Sequence, residues 1–253
     1  MADPIDKPER EAEPGATGSR TVMDVVLIPG FWLDAASWDG VVPALEAAGH
    51  RVRALTLPGL GSIDDDRAGV GLADHVAAVV EVIDDTNGPV ALVGHSGGGA
   101  IAHAAVDARP DRVARVVYVD SVPLGEGDVI NDELPVVDGE IPLPDWSVFG
   151  EEDLTDLDDG LRERFRAMSV PEPVGVATDR QVLRDPRRYD VPITVITCEF
   201  PSRMLRELMT KGHPYTAELA KVHDAEIVDL PTGHWPQFTK PAELGAAIAA
   251  ALT

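Results

Sequence analysis

The residue types best suited to chemistry stand in one short run. In VALVGHSGGGA, positions 90–100, a β-branched apolar stretch ends on a serine bracketed by glycines, and an alanine-rich segment follows. A strand that turns abruptly into a helix needs small residues at the corner, because side chains there would meet the neighbouring backbone. Gly94, Gly97 and Gly98 supply that room and leave Ser96 at the tip, with the N-terminus of the next helix behind it. Free N–H groups and the helix dipole favour developing negative charge at such a point. Gly94-His95-Ser96-Gly97-Gly98 therefore reads as the strand–turn–helix corner that exposes a nucleophilic hydroxyl.

A serine hydroxyl attacks only when a base takes its proton, so a histidine must follow on a loop at the same end of the sheet. His234 meets that requirement: it follows an apolar run in VDLPTGHWPQF, just before the terminal helix, with Gly233 allowing a tight turn. His95 lies inside the corner, His75 and His103 fall on helices, His50 in a turn, and His213 and His223 between the last two strands. No histidine pair has metal-ligand spacing beside a carboxylate, so no metal is expected. Negative charge on a reacting carbonyl oxygen needs donors too. LIPGFWLDAASW offers a glycine turn in which the Phe31 N–H could face the Gly97 N–H.

These loops need a frame that brings positions 30, 96 and 234 together. Short β-branched runs alternate with longer alanine-rich segments, the pattern of a parallel sheet flanked by helices. Strands are expected at 24–30, 51–59, 90–96, 113–120, 193–199 and 225–231, with helices at about 37–48, 72–86, 97–108 and 241–252. The interval 121–190 breaks the rhythm and is far longer than an ordinary connection. Its scattered large residues, Trp146, Phe149, Leu154, Leu157, Leu161 and Phe165, predict a mostly helical cap over one end of the sheet. Residues 1–20 mix Pro, Gly and charge with few large apolar side chains and read as a disordered tail, leaving one domain over 21–253.

Composition sets limits. The 21 Lys+Arg against 44 Asp+Glu give a formal charge of −23, which repels phosphate backbones and anionic lipid, so neither nucleic acid nor membrane is an expected partner. The single cysteine, Cys198, closes an apolar run and reads as a small buried residue. One cysteine and no leader-like opening segment point to the cytoplasm. Oligomeric state leaves no mark on the sequence.

In order along the chain, PGFWLDAASW, LTLPGLG, VGHSGGG, VVYVDSVPL and PTGHWPQF resemble the α/β-hydrolase superfamily, and within it the small cofactor-free esterase and hydroxynitrile-lyase-like branch. The resemblance spans about 24–252. It implies an α/β-hydrolase fold: a mostly parallel six-stranded sheet with flanking helices and a helical cap inserted after the fourth strand. It also implies Ser96 as nucleophile, His234 as base, no cofactor, and a small-molecule ester, thioester or lactone as substrate. Trp32, His95, Trp146 and Trp235 are the expected substrate contacts. Members usually carry the triad acid after the penultimate strand, where VPITVITCEFPSRM places Phe200, with Glu199 one residue early. Asp120, at the end of VVYVDS, is favoured as the acid, as in dehalogenase-like and some lactonase-like members, and Glu199 is the alternative. A cyanohydrin lyase, or a ligand-binding protein with little or no turnover, would use the same frame for another end.

Overall fold

In this computed structural model, residues 22–253 are described; the expected tail at 1–20 lies outside them. In chain order the main elements are β1 (Asp24–Ile28), α1 (Val42–Ala47), β2 (Arg51–Ala54), α2 (Leu72–Asp85), β3 (Val90–His95), α3 (Gly97–Ala108) and β4 (Val113–Val119). Next come β5 (Glu140–Ile141), α4 (Asp159–Met168), β6 (Glu172–Pro173), α5 (Val174–Thr178), β7 (Ile193–Thr197), α6 (Ser202–Thr210), β8 (Ala225–Asp229), α7 (Pro236–Thr239) and α8 (Pro241–Ala251).

Six strands form one sheet in the order β2-β1-β3-β4-β7-β8, and every pair in it is parallel. The middle strand β3 is buried along its whole length, as its unbroken apolar run requires of a strand covered on both faces. The edge strands are more exposed: β2 alternates half-buried and exposed residues, and β8 fully buries only Ile227. Alternation along each strand sends Val26, Ile28, Leu92 and Tyr118 to the face covered by α2 and α3. Val25, Leu27, Val93 and Val117 go to the other face, under Leu45 of α1 and Leu244 and Ile248 of α8. The helices that follow β1 and β3 thus cover opposite faces. The chain's order reverses between those two adjacent strands, and a crevice opens at their C-terminal ends, the usual ligand position in such sheets.

All six expected strands are present, each ending two or so residues early, and β2 five early at Ala54. One backbone bond, Leu55 N–H to the Leu27 carbonyl at 3.0 Å, continues beyond it before the chain leaves the sheet. The first helix begins later than expected, at Val42, because a 3-10 turn at Ala35–Trp38 precedes it and Pro43 sits in its first turn. The amphipathic helix α6 was not anticipated in the sequence; it buries Leu205 and exposes its charged side.

Over the crevice lies the insertion after β4. Only α4 and α5 within it are α-helical; the rest is 3-10 turns, loops and the two-stranded antiparallel pair β5–β6. Pro123, Pro135, Pro142, Pro144, Pro171 and Pro173 explain the difference, since each removes an N–H and blocks a continuing helix. Helix α4 starts where the Asp158 side chain accepts the Leu161 N–H at 2.9 Å. Its Phe165 enters a third apolar cluster with Phe31, Trp32, Leu157, Trp235 and Phe238, against which Trp146, Phe149, Leu154 and Leu161 also pack. Among the described residues no helix is long and apolar enough to cross a membrane.

Candidate active site

At the end of β3, Ser96 takes φ 51° and ψ −125°, a conformation that side-chain-bearing residues rarely hold. The corner is as tight as the glycines suggest. A Cβ on Gly94 would lie 2.5 Å from the Gly98 carbonyl oxygen, and one on Gly98 would lie 2.4 Å from that of Pro29. The Ser96 N–H is held by the Val119 carbonyl at 3.1 Å, which ties the corner to β4.

The hydroxyl meets its partner from the far end of the chain. His234 Nε2 stands 2.9 Å from Ser96 Oγ, and Nδ1 stands 2.7 Å from Asp120 Oδ2. Asp120 terminates β4 with φ 46°, and its side chain is 3% exposed. Its second oxygen accepts the Cys198 N–H at 2.8 Å and, more weakly, that of Glu199 at 3.4 Å. Glu199 is also present, with Oε1 2.6 Å from the same Nδ1. Both candidate acids therefore reach the imidazole. Burial works to raise the Asp120 pKa, but the hydrogen bond and charge of His234 outweigh it and hold the carboxyl below its usual range. For Glu199 burial prevails and pushes the carboxyl up to about 7. Burial disfavours imidazolium at His234, yet its hydrogen bonds to Asp120 and Glu199 more than offset it and raise its pKa.

The loop carrying His234 is fixed from both sides. The His234 N–H donates to the Asp153 carbonyl at 2.8 Å and the Gly233 N–H to the Thr155 carbonyl at 3.0 Å, so the insertion holds the loop's backbone. From below, His95 Nε2–H donates to the His234 carbonyl at 2.7 Å. His95 was expected against a substrate. Instead it is fully buried beneath the site, burial holds its pKa down to about 3, and as a neutral ring it props the histidine loop.

The turn after β1 brings the Phe31 ring against the backbone of Gly97, and a Cβ there would meet it at 2.7 Å. Trp32 follows with φ 66°. Its N–H donates to Glu172 Oε2 at 3.1 Å, its indole N–H to the Ile141 carbonyl at 3.0 Å, and its carbonyl accepts the Val170 N–H at 3.0 Å. The insertion thus grips the turn at three points. Nothing in the sequence singled out Glu172, which sits in an ordinary PEP stretch. It is 1% exposed, and burial drives its carboxyl up to about 8.

Two chambers flank Ser96 and His234, with Ile130 lining both. The larger, about 410 Å³, is bounded by the loop after Asp120 and by Pro214 and Tyr215. The smaller, about 190 Å³, is walled by Phe31, Trp32, Phe149, Trp235 and Leu134. Trp32 and Trp235 are therefore among the residues that line a chamber beside Ser96. Trp146 is not: it stacks behind Phe149, Phe165 and Trp235 at ring separations of 5.5 to 5.8 Å, because the insertion uses it as core. Lys221 borders the larger chamber with its ammonium on Glu218 at 2.8 Å. Burial raises the Cys198 thiol far above its ordinary pKa, so it offers no thiolate.

Among the described residues, one group of three could present ligand atoms to a metal: Asp120, Glu199 and His234. Their contacts of 2.6 and 2.7 Å around Nδ1 are hydrogen-bond separations. Ligands about 2 Å from a shared zinc would stand farther apart, so this donor set fits a bridging proton better than an ion.

A model of the alpha/beta hydrolase family matches residues 25–247. A pyrethroid hydrolase of Sphingobium wenxiniae is 36% identical over 121 residues, 47% of this chain and 42% of that protein. Methylesterase 8 of Arabidopsis thaliana is 37% identical over 100 residues, 38% of this chain and 36% of that protein. The matched stretches span less than half the length of these curated relatives. Among solved structures, an extracellular alpha/beta-hydrolase from a Paenibacillus species aligns with a TM-score of 0.72 at 20% identity, covering 90% of this chain and 98% of that one. That is a likeness of fold.

Proposed function

The chain belongs to the alpha/beta hydrolase family, and on that premise we propose that it is a serine hydrolase that cleaves a carboxylic ester through an acyl-enzyme. The observation that carries the reading is the continuous line of contacts from Ser96 Oγ to His234 Nε2 at 2.9 Å and from Nδ1 to Asp120 at 2.7 Å. Ser96 Oγ attacks the carbonyl carbon while Nε2 takes its proton. Asp120, anionic and buried, fixes the imidazole tautomer and stabilises the imidazolium. The N–H groups of Phe31 and Gly97 receive the oxyanion, aided by the N-terminal end of α3. His234 returns the proton to the leaving alkoxide, and water, deprotonated in turn by Nε2, releases the acid and restores the serine.

The two chambers suggest how an ester divides between its halves. The aromatic walls of the smaller one suit a flat ring or a short branched group, and the larger takes the longer portion. The names of two relatives, a pyrethroid hydrolase and a methylesterase, agree with ester chemistry. Thioesters and lactones present the same electrophilic carbonyl to Ser96.

The test is Ser96→Ala assayed on p-nitrophenyl acetate beside fluorophosphonate labelling of the parent. Loss of roughly 10³-fold or more in kcat, with the label on Ser96, is the expected result. An unimpaired Ser96→Ala protein would remove the serine from the mechanism.

A further inference from the structure

An imidazole Nδ1 carries one hydrogen, yet two carboxyl groups stand at 2.7 and 2.6 Å from that of His234. They arrive from different elements, Asp120 from the end of β4 and Glu199 from the end of β7. Two anionic carboxylates so close to each other repel strongly, and such pairs settle by sharing a proton. Their surroundings decide which one keeps it. Asp120 accepts backbone N–H bonds from Cys198 and Glu199 besides the imidazole, the environment of a permanent anion. Among the described residues Glu199 has no such backbone donors, and it lines the smaller chamber with 18% of its side chain exposed.

We propose that Glu199 is a second, positioning carboxyl group on His234, which holds a proton shared with Asp120 so that the two act on one N–H as an acid pair. The inference rests on Ser96 and His234 being nucleophile and base. In the resting arrangement Glu199 O–H donates to Asp120, and Nδ1–H donates to Asp120 as well. When Glu199 loses its proton, a second negative charge lies beside the imidazole and the imidazolium becomes harder to deprotonate. The raised pKa of Glu199, about 7, agrees with this arrangement. The other titratable groups around the pair are His95 below the loop, kept neutral by burial, and Tyr215 from the β7–β8 connection. Cys198 and Lys240 lie nearby, and Asp153 faces Glu199 across the smaller chamber. None of them touches Nδ1.

The consequence is a parent enzyme whose rise of kcat/KM with pH spreads over two coupled proton losses. Glu199→Gln keeps a donor toward Asp120 and removes the second charge. Its acid limb becomes a single titration displaced to lower pH by about one unit or more, with a plateau kcat within about threefold of the parent. Glu199→Ala removes the donor and lowers kcat further, and recovery in Glu199→Gln separates positioning from simple packing. A limb that superimposes on the parent's, or a Glu199→Gln protein as impaired as Asp120→Asn, overturns the proposal. An NMR titration of the His234 ring in the Ser96→Ala background, with and without Glu199→Gln, gives the same answer without turnover. A lower imidazole pKa in the double variant supports the acid pair, and an unchanged one defeats it. If Ser96→Ala proves fully active, the hydrolase reading fails on its own, and the NMR titration still judges Glu199.

Discussion

Trp32, Ser96 and Asp120 hold φ of 66°, 51° and 46°, and all three belong to the site. Each costs about 1–3 kcal/mol, so the surrounding structure must over-determine them. Their surroundings do so. Ser96 is tied to β4 by its N–H, Asp120 to Ile196 of β7 by its own at 2.8 Å, and Trp32 to the insertion at three points. The strain also aims the groups, since Ser96 and Asp120 directly follow β3 and β4 and would otherwise continue those strands. Gly98 is where this arrangement is least forgiving, because the carbonyl oxygens of Pro29 and Ile28 lie 2.4 and 2.6 Å from where its Cβ would sit. Gly98→Ala should push α3 off the turn that carries Phe31. The expected outcome is a kcat reduced by an order of magnitude or more and a lowered Tm, read by steady-state kinetics and thermal unfolding. An alanine variant of native activity and stability would contradict the close approach.

At the scale of elements, the sheet provides the serine and both carboxyls, and the insertion provides the restraint. Asp153 and Thr155 hold the histidine loop by its backbone, while Glu172 of β6 holds Trp32. Glu172 makes that restraint pH-dependent. Its carboxyl is raised from an ordinary 4.5 to about 8, chiefly by burial, so the folded chain binds this proton more tightly than the unfolded one. The contribution to stability is therefore complete below about 4.5 and is lost as pH rises through about 8. Glu172→Gln keeps an acceptor for the Trp32 N–H and has no proton to lose. The Tm of Glu172→Gln minus that of the parent should grow by several °C between pH 5 and pH 8.5, with activity retained. A difference flat across that range would mean the carboxyl is not buried as an acid. α6 teaches a different lesson. Its pattern in SRMLRELMT is plain in retrospect, but it lies in the charged stretch between the last two strands, where only Leu205 marks a buried side.

For the whole molecule, charge bears on which substrates the proposed hydrolase would admit to the serine. The chain carries a formal −23, and Asp120, Glu126, Asp128 and Glu218 border the larger chamber. Lys221, the cation among its lining residues, is bound to Glu218. An ester bearing a free carboxylate should show a higher KM than its neutral counterpart at 10 mM salt, and the gap should shrink as salt shortens the screening length to about 8 Å at 0.15 M. Equal KM values at low salt would show that the acidic rim does not reach the bound substrate.

Much of this protein was already determined by its sequence. The unbroken apolar run into a glycine-bracketed serine identified the buried central strand and its corner, and the strand–helix alternation identified the parallel sheet. A histidine on the loop after the last strand completed the pair, since parallel strands end at one edge of the sheet. Those features are local, or follow from the period of a strand and the room a turn needs. What tertiary structure decided lies where distant segments converge. Asp120 and Glu199 end neighbouring strands β4 and β7, and only their spacing in the sheet shows that both touch Nδ1. His95 turns beneath the sheet's edge instead of into a chamber, and Trp146 becomes core, because side-chain direction and burial depend on what packs opposite. The prolines in the insertion forbade long helices, but where its loops would grip Trp32 and His234 depended on contacts more than a hundred and about eighty positions apart, which no local pattern encodes.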